Sequence, residues 1–265
     1  MGIPEEEKGG MLYGPLIRDM VWSYSRIKSF EACPYRWFLN YIEHRREREQ
    51  FYASYGSFMH ALMAEFYMGK ASPDEAAARF LTGFRDNVKG VRPSPELAAK
   101  YIEAGAGFLR GLRMPQEEIV GVEKPVQFEL DGIPFVGFID LLTRTETGLI
   151  VTDHKSRALK PKTGKSPPTK GDAEIDEMMR QLYLYSAAIK DEYGSFPERL
   201  RFNCFRNGCL IDEPFREEAY EEAVRWAVGN VRKIMDTESF DPNPDFFACR
   251  WLCGFSDYCE EGESV

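Results

Sequence analysis

Apolar and polar positions along the chain follow two periods, and the change between them divides the sequence. From Trp22 to His44, aromatic and aliphatic residues recur at helical spacing, with an interruption at Cys33-Pro34. Ser23 or Ser25 is placed to cap the first turn. Three more stretches of helical period follow at about 54–69, 73–89 and 95–113. The second opens on Ser72 with Pro73 in the first helical position, where the missing N–H of proline costs nothing. Up to about residue 115 the chain is therefore predicted to be mainly helical.

The pattern then changes. EIVGVEKPVQFEL, IPFVGFIDLLTR and GLIVTDHK carry the β-branched, aromatic and alternating positions of strands, separated by Asp131-Gly132 and by Thr145 to Gly148. Three consecutive antiparallel strands are the simplest account. A helical period over about 172–193 follows, then RLRFNCFRNGCLIDEP, where Asn207-Gly208 is a strong hairpin signal. A last helix at about 215–236 leads into a cysteine-rich tail. The central order is three strands, one helix and two strands.

That order has a geometric consequence. A turn centred on Thr145 to Thr147 pairs the second and third strands so that Asp140 lies opposite Asp153. Directly opposed residues have β-carbons roughly 4.5–5.5 Å apart, and like charges there are destabilising unless something positive lies between them. A divalent cation supplies that charge. Strand alternation puts Lys155 on the face of Asp153 and turns His154 to the other. Hard carboxylate oxygens hold Mg²⁺ or Mn²⁺, which activates water and stabilises the charge building on a phosphodiester, while a lysine alongside neutralises the phosphate or positions the water. An ordinary salt-bridged strand end is the competing explanation of Asp-His-Lys taken alone.

Composition narrows the setting. With 265 residues, 43% of them apolar and 14% aromatic, the chain has material for a sizeable core, and one compact unit over 22–265 behind a loosely ordered 1–21 is expected. Within it, the pattern predicts a helical region at 22–115, a core at 116–237 and a cysteine segment at 238–265. No apolar run approaches the roughly 18 residues of a membrane span, and MGIPEEEKGG lacks the basic start and apolar run of a secretory signal. A soluble, cytoplasmic protein is expected. A net charge of −9 speaks against a polyanionic partner, but charge placement does not: KSRALKPKTGKSPPTK, from Lys155 to Lys170, contains no acid. Either this is a solvated flexible loop or it closes over a nucleic-acid strand. Of six cysteines, three fall between 249 and 259, which in a reducing compartment reads as thiolate ligation rather than a disulfide framework. Cys204 and Cys209 flank the predicted hairpin turn and read as free thiols in or near a sheet.

GFIDLL, IVTDHKS and RQLYLYSAA together resemble the PD-(D/E)xK nucleases of the RecB-like group, whose pattern is a Gly-x-Ile-Asp strand, an Asp-x-Lys strand and a Gln-x-x-x-Tyr helix. The matching positions are Gly137, Ile139 and Asp140, then Asp153 and Lys155, then Gln181 and Tyr185. The resemblance implies an α/β (α+β) fold with a restriction-endonuclease-like αβββαβ core, a mixed sheet flanked by helices. It implies Asp140, Asp153, Lys155, Gln181 and Tyr185 as catalytic residues. YGSFMHALMAEFY resembles the family's histidine-bearing helix, which implies His60 as a metal ligand beside Asp140 and Asp153, with the His154 carbonyl and waters completing the shell. Glu123 matches a glutamate often found on the first strand of relatives. On residues alone, Gln181 and Tyr185 share a helix face, Tyr185 also fits an apolar stripe with Leu182 and Ile189, and His60 also fits a structural role.

SRIKSFEACPYRWFLNYI, which carries Cys33, resembles the segment opening iron-sulfur members of the group, with Cys249, Cys253 and Cys259 following the last helix. Four thiolates hold either a [4Fe-4S] cluster or a tetrahedral zinc. Similarity to AddB-type nucleases and to CRISPR-associated exonucleases with such a clasp implies the cluster, closing the C-terminal segment on the N-terminal helix. The gap between Cys249 and Cys253 is one residue longer than the family's usual two. The implied activity is a Mg²⁺- or Mn²⁺-dependent exonuclease preferring single-stranded DNA ends, in recombination, repair or CRISPR spacer acquisition, in a bacterial, archaeal or phage-infected cell. With no GxxxxGK[ST] stretch, unwinding would fall to a helicase, with a recombinase or integrase as other partners. A catalytically inactive DNA-binding or scaffolding protein of the same fold, and a zinc-stabilised RNA-directed nuclease, are the competing readings. Tyr35, Arg36, Trp37 and Phe38 would either clamp DNA or pack a core.

Overall fold

The computed structural model describes residues 10–263. Its helices and strands run α1 (Gly10–Arg18), α2 (Tyr24–Ala32), α3 (Pro34–Tyr41), α4 (Phe51–Tyr67), α5 (Pro73–Asn87), α6 (Pro95–Arg110), β1 (Glu118–Leu130), β2 (Ile133–Arg144) and β3 (Leu149–Lys155). They continue with α7 (Lys170–Tyr193), β4 (Arg199–Cys204), β5 (Cys209–Pro214), α8 (Glu217–Met235), α9 (Phe246–Trp251) and α10 (Glu260–Glu263). The strands form one open mixed sheet in the order β1-β2-β3-β4-β5. This is the mixed α/β architecture expected from the sequence. Residues 1–9 of the expected loose N-terminus lie outside the described residues; within the remainder, α1 forms, with Ile17 buried and the Tyr13 ring edge-on to Phe38 at 5.2 Å.

The sheet's pairing follows from its connections. Asp131-Gly132 has positive φ at both positions (52° and 73°), the backbone a two-residue hairpin between β1 and β2 requires. The β2–β3 ladder is antiparallel with Leu141 opposite Thr152, so the register expected from the turn holds. That turn is closed by the Thr145 N–H donating to the Gly148 carbonyl at 2.8 Å. A parallel strand cannot follow through a tight turn, and β4 joins β3 in parallel only after the long crossover helix α7. β5 then returns antiparallel, with Cys204 opposite Cys209 and both thiols free, as expected.

The chain divides into two compact units. One comprises Glu49–Val126 and Gly137–Tyr220. One apolar cluster gathers α4, α5 and α6 around fully buried Tyr55, Met59 and Phe80, with Phe205 from the β4–β5 loop. α5 starts on a capping box, in which Ser72 Oγ accepts from the Glu75 N–H and Glu75 answers the Ser72 N–H. α7 starts on another, Thr169 with Asp172, and ends on Gly194 at φ 82°.

The other unit comprises the chain up to Arg48, Gln127–Val136 and the chain from Glu221. Trp22 donates its N–H to the Pro134 carbonyl and accepts from the Val136 N–H, both at 2.8 Å, which stitches the N-terminal segment to the start of β2. The Trp37 ring is fully buried, stacked on Trp22 and on Phe240, and Phe38 stacks on Phe240 as well. Of the two roles open to these aromatics, Trp37 and Phe38 have the packing one.

β2 and α7 meet at Gly137. An added β-carbon there would lie 2.2 Å from Cε1 of Tyr185, far inside van der Waals distance. Gly137→Ala is expected to destabilise the protein by about 1–3 kcal/mol, the usual cost of overpacking. Gly107→Ala, on an α6 face with nothing within 4 Å, is expected to stabilise it by up to about 1 kcal/mol. Urea unfolding midpoints of the two variants check both signs.

Candidate active site

Five elements of the larger unit, α4, β1, β2, β3 and α7, bring the sequence-predicted residues to one place. Asp140 sits near the middle of β2, one residue before the paired rung Leu141–Thr152, and so faces the Asp153 end of β3. Its carboxylate Oδ2 accepts the His154 N–H at 2.6 Å, across the end of the ladder. His60 comes from α4, with Nδ1 3.5 Å from Asp140 Oδ1 and 3.9 Å from Glu123 Oε1. One ligand atom each from His60, Glu123 and Asp140 lies within 4.8 Å of the others, and this is the one such group of three or more His, Cys, Asp or Glu among the described residues. Spaced so, an imidazole nitrogen and two carboxylate oxygens suit one divalent ion.

The histidine's tautomer follows from its other neighbour. His60 Nε2 lies 2.9 Å from the His154 carbonyl oxygen, so Nε2 is assigned as the protonated, donating nitrogen. Nδ1 then keeps its lone pair, directed to where the two carboxylates converge. A main-chain carbonyl fixing the ring of a metal-binding histidine is a recurrent arrangement. The His154 carbonyl thus orients His60 and retains a second lone pair. Its own imidazole is buried, stacked on Tyr67 and beside Asn203, and burial brings its pKa down to about 4, which keeps it neutral.

Glu123 reaches the group by an unusual backbone. At φ 48° it lies in the left-handed region, sparsely populated by residues other than glycine, asparagine and aspartate. Regular alternation of buried and exposed side chains in β1 starts only beyond it. Such strain persists only where the surroundings impose it, and it concentrates at functional sites. The sequence did contain a signal: Gly121 and Pro125 flank Glu123 inside a predicted strand, and both residue types mark bulges or edge strands.

Asp153 and Lys155 share a face of β3, as alternation requires. Lys155 Nζ is 2.8 Å from Asp153 Oδ2 and donates to Gln181 Oε1 at 2.8 Å. Gln181 Nε2 in turn donates to the Tyr185 hydroxyl at 3.1 Å. One turn of α7 therefore holds the lysine ammonium together with its carboxylate partner. The Tyr185 ring itself is buried, and burial raises its pKa to about 12, so it acts as a neutral hydroxyl.

Charge in the site is unbalanced. Burial lifts the Asp153 carboxyl above the ordinary range, with Lys155 opposing and Asp140 reinforcing it. Burial also lifts Glu123, with Asp140 adding to the effect and His60 opposing. His60 is held above its ordinary value because Asp140, Asp153 and Glu123 outweigh its burial. At Asp140 burial acts upward too, but His60 and the His154 N–H outweigh it and hold the carboxyl low. A divalent ion would supply the positive charge that the cluster lacks. An open groove leads to it, lined by Tyr52, Ala53, Gly56, Ser57, Ala61 and Ser156 together with His60 and Glu123.

In the smaller unit, Cys33, Cys249, Cys253 and Cys259 line one cavity, with Arg36, Asn243 and Phe255 among their neighbours. Cys33 caps α3, and its sulfur accepts from the main-chain N–H groups of Arg36 at 3.5 Å and Asn243 at 3.4 Å. Burial raises the Cys253 pKa, and the nearby sulfurs of Cys249 and Cys33 act in the same direction.

A family model described as the PD-(D/E)XK nuclease superfamily matches residues 21–260. Among solved structures, one described as a putative exonuclease from Eubacterium rectale superposes with a TM-score of 0.52 at 10% identity, covering 92% of this chain and 90% of its own. At that identity the likeness bears on fold alone. The protein SSO0001 aligns over 77% of this chain and 95% of its own at 15% identity, with a TM-score of 0.34 too low to bear on fold. A search of curated proteins returns no match. The family model spans the chain from the Trp22 bridge to the last cysteine, and the chain belongs to the PD-(D/E)XK nuclease superfamily.

Proposed function

We propose that this protein is a metal-dependent deoxyribonuclease of the RecB-like kind, an exonuclease working on single-stranded DNA ends. The observation that carries the reading is the convergence of His60, Glu123 and Asp140 beside the Asp153–Lys155–Gln181 chain, at the head of an open groove. His60, Asp140 and Asp153 would hold Mg²⁺ or Mn²⁺, joined by Glu123 and the His154 carbonyl. Bound there, the ion lowers the pKa of water and polarises the phosphoryl oxygens. Lys155, fixed between Asp153 and Gln181, supplies positive charge to the scissile phosphate or orients the attacking water. The Gln181–Tyr185 pair is a positioning element, since Tyr185 reaches the site through Gln181. A second support is family membership, since divalent ions are the usual cofactors of these nucleases.

For the cysteines we propose a [4Fe-4S] cluster held by Cys33, Cys249, Cys253 and Cys259, in the manner of AddB-like clasps. The four line one cavity, and the N–H donors on Cys33 are of the kind that tune cluster potentials. A tetrahedral zinc with Zn–S of about 2.3 Å brings its sulfurs within about 3.8 Å of one another. Among the described residues no three of these sulfurs lie mutually within 4.8 Å, so the reading rests on the shared cavity and the resemblance, with zinc as the alternative. Service in recombination, repair or spacer acquisition, with a helicase, recombinase or integrase partner, completes the reading.

Three outcomes are expected. With Mg²⁺ or Mn²⁺ the protein degrades end-labelled single-stranded DNA, and Asp140→Ala, Asp153→Ala and Lys155→Ala each lose about 100-fold or more in rate, as removal of groups that stabilise developing charge does. Wild-type rates in all three variants would end the assignment. Mn²⁺ affinity measured by calorimetry rises from about pH 6 to about pH 8, because His60, held above its ordinary value of 6.5, must shed its proton before ligating. A pH-independent affinity would count against this ligand set. Protein purified without oxygen is brown and carries about four iron atoms per chain, and Cys33→Ser or Cys253→Ser bleaches it. Colourless protein with one zinc would replace the cluster by a metal ion.

A further inference from the structure

Between β3 and α7, residues 156–169 form no helix or strand. Connections longer than about 12 residues without secondary structure are uncommon in compact proteins and are usually functional or disordered. This one is held in place. Asp172 accepts from the Thr163 N–H at 2.7 Å, the Thr163 hydroxyl at 2.7 Å and the Thr169 N–H at 2.9 Å. Leu159 is buried, and its carbonyl accepts from Asn207 Nδ2 at 2.7 Å.

The charges along this loop and on Lys170, the first residue of α7, fall into two groups. Arg157 pairs with Glu174, and Lys162 pairs with Asp176 at 2.6 Å, so both are spent on α7. Lys160, Lys165 and Lys170 are exposed and have no acidic partner among the described residues. No acid lies between Asp153 and Asp172 to offset them. The loop also leaves from the site itself, since Ser156, its first residue, lines the groove with His60 and Glu123. A polyanion entering a groove that ends in three carboxylates is repelled unless cations meet it outside. Lysines on an already fixed loop meet it with no loop-ordering cost on binding.

We infer that this loop and the first residue of α7 form a strap for the phosphate backbone of single-stranded DNA, with Lys160 and Lys165 of the loop and Lys170 at the helix start taking successive phosphates just outside the groove. The inference rests on the nuclease reading above and adds the path of the strand to it. Each phosphate neutralised on a single strand releases counterions and adds about 0.7 to the slope of log K against log salt. Three lysines therefore account for a slope of about 2, or roughly a 20-fold change in affinity over a fourfold change in salt.

The test is equilibrium binding of a fluorescent oligodeoxythymidylate to the full chain in EDTA, which prevents cleavage, titrated with KCl. The triple variant Lys160→Ala, Lys165→Ala, Lys170→Ala is expected to show a slope shallower by about 2, and the corresponding triple arginine variant the wild-type slope. Hydrolysis of bis(p-nitrophenyl) phosphate, a diester too small to extend beyond the groove, is expected to be unchanged in both. An alanine variant with the wild-type slope overturns the strap, as does a wild type whose binding ignores salt. Tighter and steeper binding of the matching RNA oligomer also overturns it. A wild type that cleaves no diester, with the slope difference intact, would remove the nuclease reading and leave the strap standing.

Discussion

Asp140 and Asp153 are brought together by strand register, and the cost of holding two carboxylates there governs what surrounds them. Their mutual repulsion is fixed by the ladder register, in which Leu141 opposite Thr152 sets Asp140 beside the Asp153 end of β3. Relief has to come from outside the two strands. α4 contributes His60, α7 contributes Gln181 to hold Lys155 against Asp153, and β1 contributes a third carboxylate instead of a cation. Glu123 adds a third carboxylate to an already acidic cluster, and the proposed divalent cation would neutralise it there. The left-handed backbone at Glu123 shows that the fold tolerates local strain to bring that carboxylate in.

Much of this was readable before any coordinates because several signals were local and mutually consistent. Ser72-Pro73, Asp131-Gly132 and the Thr145–Gly148 turn each specify a backbone through short-range chemistry, and they fixed the element order and the β2–β3 register. Once register was known, alternation placed Lys155 with Asp153. The less legible parts depend on tertiary relations. Nothing local tells whether the aromatic run at Tyr35 to Phe38 faces a core or a ligand; Trp37 is buried because Phe240, some 200 residues later, stacks on it. His60 is one histidine in a helix until the His154 carbonyl selects its tautomer. The strong reading of Gly137 as a motif residue has a steric basis, the face of Tyr185, that no spacing rule contains.

The smaller unit poses a different constraint. It is assembled from three separate stretches of chain, joined by the Trp22 main-chain bridge, the aromatic stack and short polar links such as the Arg48 N–H to the Gly254 carbonyl at 2.8 Å. Gly254 is itself closely fitted, since a β-carbon there would strike the Glu47 side chain and the Arg48 carbonyl. Drawing one cysteine from the first stretch and three from the last gives the proposed cluster a clear physical task. A cross-link between distant segments restricts the unfolded chain, and its effect grows slowly with loop length. The cluster would thus stabilise the unit whose segments have the greatest distance to close.

Charge placement reconciles an acidic protein with an anionic substrate. A net charge of −9 averages over surfaces the substrate never meets, while the local field at a groove is set by charges within about 10 Å at physiological salt. Near the groove the carboxylates point inward, where a divalent ion would neutralise them, and Arg157 and Lys162 are consumed by α7 acids in holding the loop. What remains facing solvent is three unpaired lysines on a fixed backbone. The two cation sets of the loop thus divide the work: one orders the chain so that the other can be presented. Asp172 completes the division of labour by holding Thr163 and Thr169 against the start of α7, which fixes the backbone between Lys160 and Lys170.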